Sequence, residues 1–129
     1  MRKFLIKYWK SILFIVFLCV LSFSPSSNFK RFPSFFGVDK VVHFLLYIFL
    51  AFILVFDNRE MIIRQLTKKL IAYAIVFPII LGGVIEIVQE NFFPPRSAEW
   101  FDWFMDIAGV LIGYLITAKL LNYWLKQKR

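Results

Sequence analysis

The sequence contains a single cysteine, Cys19, which excludes an internal disulfide and leaves the redox compartment undetermined. It has no Gly- or Ser-rich linker, no internal repeat and no low-complexity tract. Three enzyme motifs are also absent: the Gly-x-Ser-x-Gly elbow, His-Glu-x-x-His and a paired Arg/His phosphatase signature. The length of 129 residues and the lack of a linker or repeat predict one domain over residues 1–129. The missing motifs argue against the hydrolase classes that they mark.

The apolar content is too high for a water-soluble domain of this length. The chain is 60% hydrophobic, and its mean hydropathy is +0.72. A soluble domain is roughly 45–50% apolar, so the excess must be buried against lipid rather than inside a small core. The seventeen Phe residues suit a lipid-facing surface. The composition therefore predicts an integral membrane protein.

Four stretches approach the roughly 20 apolar residues that a membrane-spanning helix needs. We predict an all-α bundle of four transmembrane helices over residues 8–24, 39–57, 70–90 and 102–122. Pro78 should bend the third helix, and the Gly109-x-x-x-Gly113 spacing favours close helix packing in the fourth. The first stretch also has the form of a signal peptide ending at Ser22-Phe23-Ser24; Pro25 disfavours cleavage, but the cleaved form stays open.

The net charge of +8 does not indicate a nucleic-acid partner, because the basic residues stand in blocks between apolar stretches. Such blocks mark cytoplasmic flanks of membrane helices and contact lipid headgroups. Twelve basic residues fall on one predicted side and four on the other, so we expect both termini in the cytoplasm. The twelve are Arg2, Lys3, Lys7, Lys10, Arg59, Arg64, Lys68, Lys69, Lys119, Lys126, Lys128 and Arg129; the four are Lys30, Arg31, Lys40 and Arg96.

Several polar residues lie inside the predicted spans, where an ionisable group costs roughly 2.5–3.5 kcal/mol at the centre and marks function by default. His43, Glu86 and Asp106 come from three different helices and share one depth, about one turn or roughly 6 Å from the outer boundary. We expect them to form a polar pocket at the outer face. The full set of predicted binding residues is Asp39, Lys40, His43, Tyr47, Glu86, Gln89, Arg96, Asp102 and Asp106.

The same residues carry a resemblance to the VanZ-like family of small bacterial membrane proteins. The matching patterns are Asp39-Lys40-x-x-His43-x-x-x-Tyr47, Glu86-x-x-Gln89, Phe93-Pro94-x-Arg96 and Asp102-x-x-x-Asp106-x-x-Gly109-x-x-x-Gly113. Asp106 departs from the family, which usually has asparagine there. The resemblance implies a polytopic protein of the cell envelope, in a family named for low-level teicoplanin resistance; it implies neither an established reaction nor resistance in this chain.

Three functions are compatible with these residues. In the first, Arg96 and Lys40 bind an anionic envelope lipid or cell-wall intermediate, and a transport pathway would require a homo-oligomer. In the second, His43, Glu86 and Asp106 perform acid–base catalysis on a lipid phosphate. In the third, the polar layer joins helices and the bundle binds another membrane protein. We expect no cofactor and no metal, because zinc sites seldom use a single histidine.

Overall fold

The computed structural model describes residues 1–23, 38–92 and 100–128. A π-helical turn, Ala72–Val76, joins the helices Thr67–Ile71 and Phe77–Phe92. No strand occurs in the described ranges, so the prediction of an all-α protein is confirmed. The α-helices in these ranges are α1 (Arg2–Phe23), α2 (Val38–Asp57), α3 (Arg59–Ile63), α4 (Thr67–Ile71), α5 (Phe77–Phe92) and α6 (Trp100–Gln127).

Four helical segments are long and apolar enough to cross a membrane, which confirms the predicted number of spans. The first, third and fourth segments begin before the predicted spans, because main-chain hydrogen bonding continues through polar and aromatic interface residues that a count of apolar residues omits. The four segments are Arg2–Phe23, Lys40–Asp57, Thr67–Phe92 and Trp100–Gln127.

The third span is composite: α4, the π-helical turn and α5 follow one another without a loop. Pro78, which is fully buried, is the second residue of α5 and follows the π-helical turn by one residue, Phe77. A proline has no N–H to donate, and its ring would clash with the carbonyl four residues earlier, here that of Ala74. The π-helical turn includes Ala74, so the main chain departs from regular α-helical winding next to Pro78.

Helices α2 and α6 form the most extensive pair, and two glycines of α6 allow it. A Cβ atom placed on Gly109 would overlap the carbonyl oxygen of Phe44. One placed on Gly113 would lie 2.7 Å from the carbonyl oxygen of Ile48. Since both contacts advance along α2 as they advance along α6, the two helices run parallel, and the residues near their starts are brought side by side.

Helix α1 lies at the edge of the bundle and is the least buried of the four spans. Near its start, Tyr8 Oη donates a hydrogen bond to Asn58 Oδ1 at 2.6 Å, and Ser11 Oγ donates one to Asp57 Oδ2 at 2.6 Å. Asn58 and Asp57 are both buried, at 0% and 6% exposure. These bonds fasten α1 to the end of α2. The sequence did not predict these bonds, because polar residues at a helix end are expected to be solvated.

Candidate functional site

His43 sits on the second turn of α2, and its side chain is 22% exposed. Its Nδ1 atom lies 2.9 Å from Oδ1 of Asp106 on α6. A carboxylate can only accept, so with Asp106 ionised the Nδ1–H group is the donor. Asp106 itself is 1% exposed, which places this hydrogen bond inside the protein. The pairing joins the starts of the two parallel helices.

The second ring nitrogen of His43 also faces a carboxylate. Its Nε2 atom lies 3.8 Å from Oδ2 of Asp102, which is one turn before Asp106 on α6. This distance is too long for a hydrogen bond but short enough for an electrostatic contact. Asp102 is 6% exposed. The imidazole ring therefore lies between two carboxylates of the same helix.

Glu86 brings a third carboxylate from α5. Its side chain is 2% exposed. One ligand-type atom each from His43, Glu86 and Asp106 lies within 4.8 Å of the others. We call these three residues the polar centre. Three different helices contribute to it, as the depth argument from the sequence requires, and each helix contributes near the same end of the bundle.

Gly82 provides the space in which the polar centre is packed. A Cβ atom at Gly82 would lie 2.9 Å from Asp106 Oδ2 and 3.2 Å from Tyr47 Oη. Tyr47 is 3% exposed and follows His43 by one turn, so it closes the inner side of the centre. Trp103 fixes α6 to α5 by donating from Nε1 to the carbonyl oxygen of Ile79 at 2.9 Å. Neither Gly82 nor Trp103 is among the binding residues predicted from the sequence.

The remaining predicted residues are distributed as follows. Gln89 is buried, but its amide donates to the carbonyl oxygen of Ser22 at 2.5 Å and so holds α5 to the end of α1. Lys40 places its Nζ atom 5.4 Å from the centre of the Phe101 ring. Arg96 lies outside the described residues, and so does the side chain of Asp39, although its backbone belongs to α2.

A family model identifies the chain. The model described as VanZ/LLP1 matches residues 3–122. The chain belongs to the VanZ/LLP1 family. The resemblance read from the short motifs is thereby confirmed. Comparison with curated proteins and with solved structures gives no significant match.

The polar centre of this VanZ/LLP1 protein has defined chemical abilities. The imidazole can exchange a proton or donate an electron pair, and the carboxylates can accept hydrogen bonds or bind cations. Together with Asp102, the polar centre has three carboxylates and one imidazole. An anion would therefore need an additional positive charge close to the centre, whereas hydroxyl groups and cations would bind there directly.

Proposed function

We propose that this VanZ/LLP1 protein resides in the bacterial plasma membrane and binds the phosphate-bearing headgroup of an envelope lipid or lipid-linked cell-wall intermediate. The observation that carries the proposal is the meeting of His43, Glu86 and Asp106 from three spans within 4.8 Å. Ionisable residues inside membrane helices are costly and rarely persist without a role. The partial exposure of His43 leaves the centre accessible to a headgroup.

In this proposal the residues have separate tasks. Lys40, at the start of α2 beside Phe101, supplies positive charge to the headgroup, and Arg96 supplies a second charge. His43 and the carboxylates hold the hydroxyl groups of the headgroup. Since a headgroup is reached from the bilayer surface, the centre fits a ligand that stays anchored in the membrane by its acyl chains. Four spans enclose little space, so transport across the membrane would require a homo-oligomer.

A lipid cross-linking experiment tests this function. The full chain is reconstituted in nanodiscs of phosphatidylethanolamine and phosphatidylglycerol that contain a phosphatidylglycerol analogue with a diazirine in its headgroup. We expect the analogue to label peptides from the starts of α2 and α6 after illumination, and His43→Gln to reduce this labelling more than about tenfold. Glu90→Gln is the matched control, because Glu90 is exposed one turn after Glu86.

The result also separates binding from a purely structural role. If the His43→Gln protein accumulates normally but no longer captures the lipid, the binding proposal is supported. Equal labelling of wild-type and His43→Gln protein, or labelling confined to other helices, would contradict it. Loss of the protein itself from the membrane would favour the alternative in which the polar centre only joins helices. Teicoplanin susceptibility of cells with and without the gene tests whether the family's resistance phenotype extends to this chain.

A second candidate function is acid–base catalysis on a lipid phosphate. The hydrogen bond between His43 Nδ1 and Asp106 Oδ1 favours it, because a carboxylate at one ring nitrogen orients the imidazole for proton transfer at the other. Catalysis predicts a changed profile of lipid intermediates in a deletion strain by mass spectrometry. An unchanged profile together with lipid capture would leave binding as the function.

The orientation with both termini in the cytoplasm belongs to the same proposal. It would place the polar centre near the outer leaflet, since the centre lies at the bundle end opposite to the blocks of basic residues. In a Cys19→Ala background, we expect Asn91→Cys to react with an impermeant maleimide in intact cells. Lys128→Cys should react only after permeabilisation. The reverse pattern would overturn the orientation and place the centre at the cytoplasmic leaflet.

A further inference from the structure

We propose that His43, Glu86 and Asp106 form a binding site for a divalent first-row transition metal cation. The first observation is the mixed donor set: one imidazole nitrogen and two carboxylates from three helices, with ligand-type atoms within 4.8 Å of one another. Both carboxylate side chains are at least 98% buried, since Glu86 is 2% and Asp106 1% exposed. Carboxylates at the surface are commonly solvated, whereas these two are directed into a shared interior space.

The distances suit a cation. In an octahedral site with metal–ligand distances of about 2.1 Å, neighbouring ligand atoms lie about 3.0 Å apart and opposite ones about 4.2 Å apart. His43 Nδ1 and Asp106 Oδ1 lie 2.9 Å apart in their hydrogen bond. A cation that displaced the Nδ1 proton would therefore find both atoms at the separation of neighbouring ligands. The outer limit of 4.8 Å exceeds the separation of opposite ligands by about half an ångström, which a rotation of the Glu86 side chain can remove.

A second observation comes from the other nitrogen of the same imidazole. Histidines that bind metals usually direct their second ring nitrogen at a carboxylate or carbonyl, which fixes the ring and makes the ligating nitrogen more basic. The Nε2 atom of His43 lies 3.8 Å from Asp102 Oδ2, an electrostatic contact through which this carboxylate can hold the ring in place. A hydrogen bond that served only to join helices would need one carboxylate. The imidazole here faces a carboxylate at each nitrogen, and a third carboxylate, that of Glu86, lies within 4.8 Å.

The donor types indicate the class of cation. Oxygen-only sites favour Mg²⁺ and Ca²⁺, and sites rich in histidine or cysteine favour Zn²⁺. One imidazole with two carboxylates lies between these and suits Mn²⁺ or Fe²⁺, whereas zinc sites seldom use a single histidine. Three protein ligands would leave coordination positions open. A phosphate oxygen of the lipid could take one of the open positions, and the cation would then bridge the carboxylates and the headgroup. This bridging explains how a carboxylate-rich centre would bind an anionic headgroup. The bridging role rests on the proposed function, which it deepens.

Manganese binding to the purified full chain in lipid-free detergent tests the site. We expect one Mn²⁺ per chain by electron paramagnetic resonance titration, with electron spin-echo modulation from a coordinated ¹⁴N nucleus. His43→Gln should abolish the nitrogen modulation. Glu86→Gln and Asp106→Asn, which keep the size of each side chain, should weaken binding more than about tenfold. Glu90→Gln should bind like the wild-type protein, because Glu90 is exposed on the same helix.

Three outcomes overturn the cation site: no stoichiometric Mn²⁺ binding, a bound Mn²⁺ without nitrogen modulation, or equal affinity in wild-type and Asp106→Asn protein. If one of the variants fails to accumulate, the test rests on the variants that elute as a monodisperse peak and therefore retain the fold. Repeating the lipid cross-linking with a chelator separates the two proposals. Lipid capture that persists without metal supports the headgroup function and contradicts the bridging role of the cation. Mn²⁺ binding without lipid capture supports the cation site and contradicts the headgroup function.

Discussion

Gly109→Ala should lower the free energy of unfolding by about 3 kcal/mol, because the added methyl group meets main-chain atoms that cannot move alone. It would overlap the carbonyl oxygen of Phe44 and lie 3.2 Å from Cβ of Tyr47. Relief requires α6 to move away from α2 along their whole shared length. The intrinsic preference of alanine for helices, about 1 kcal/mol, offsets only part of this cost. Unfolding in detergent micelles, followed by steric trapping or titration with a denaturing detergent, measures the change.

Gly83→Ala is the matched control for this substitution. A Cβ atom there would lie 3.3 Å from Nε1 and 3.5 Å from Cε2 of Trp103, which are side-chain atoms that can adjust. We expect a change within about 1 kcal/mol, in either direction. Equal losses at Gly83 and Gly109 would show that general helix crowding, and not the α2–α6 contact, determines stability. A Gly109→Ala protein as stable as the wild type would disprove the close approach of the two helices.

Asp106→Ala should also lower the free energy of unfolding by about 3 kcal/mol. The substitution removes the buried partner of His43 Nδ1 and leaves a cavity in place of a side chain that is 1% exposed. Asp106→Asn should cost only about 1 kcal/mol, because the amide oxygen can still accept a hydrogen bond from the imidazole. The same unfolding measurement in detergent micelles resolves the difference between the two variants.

Glu60→Ala provides a comparison with an exposed ion pair. Glu60 Oε1 lies 3.5 Å from Lys7 Nζ, and the glutamate side chain is 58% exposed. Water screens such a pair, so its loss should change stability by less than about 1 kcal/mol. If Asp106→Ala costs no more than Glu60→Ala, the buried contact with His43 contributes nothing to the fold. If the alanine and asparagine variants at 106 are equally destabilised, the hydrogen bond that an asparagine could accept there contributes nothing.

The spans were predictable because each depends on a local property of the chain. A run of about 20 apolar residues must cross the bilayer as a helix, since the hydrocarbon offers the main chain no hydrogen-bond partners. The run around Val110 and the one around Leu50 could thus be recognised without knowing their neighbours. A bend at Pro78 was likewise predicted, whereas the π-helical turn that precedes it was not. A π-helical turn before the proline depends on how α5 packs, and the residues Ala72–Val76 carry no motif that marks it.

The candidate site was predictable in depth but not in contacts. Counting along each helix placed His43, Glu86 and Asp106 in one layer, and the structure brings these three together. The same reasoning put Gln89 beside Glu86 on one face, yet its amide binds the Ser22 carbonyl oxygen of α1. Helical spacing gives the angle between two side chains on one helix. It does not give the rotation of that helix against its neighbours, which decides what each side chain meets.

By itself the sequence determined that this protein is a helical membrane protein with four spans and with ionisable residues at one common depth. These properties follow from hydrophobic length and from the fixed rise of a helix, which are local. Only the tertiary structure decided that α6 runs parallel to α2, that Gly82 leaves room for Asp106 and Tyr47, and that His43 lies between Asp102 and Asp106. Those features depend on close packing between helices far apart in the chain, where a single added carbon atom changes which groups touch.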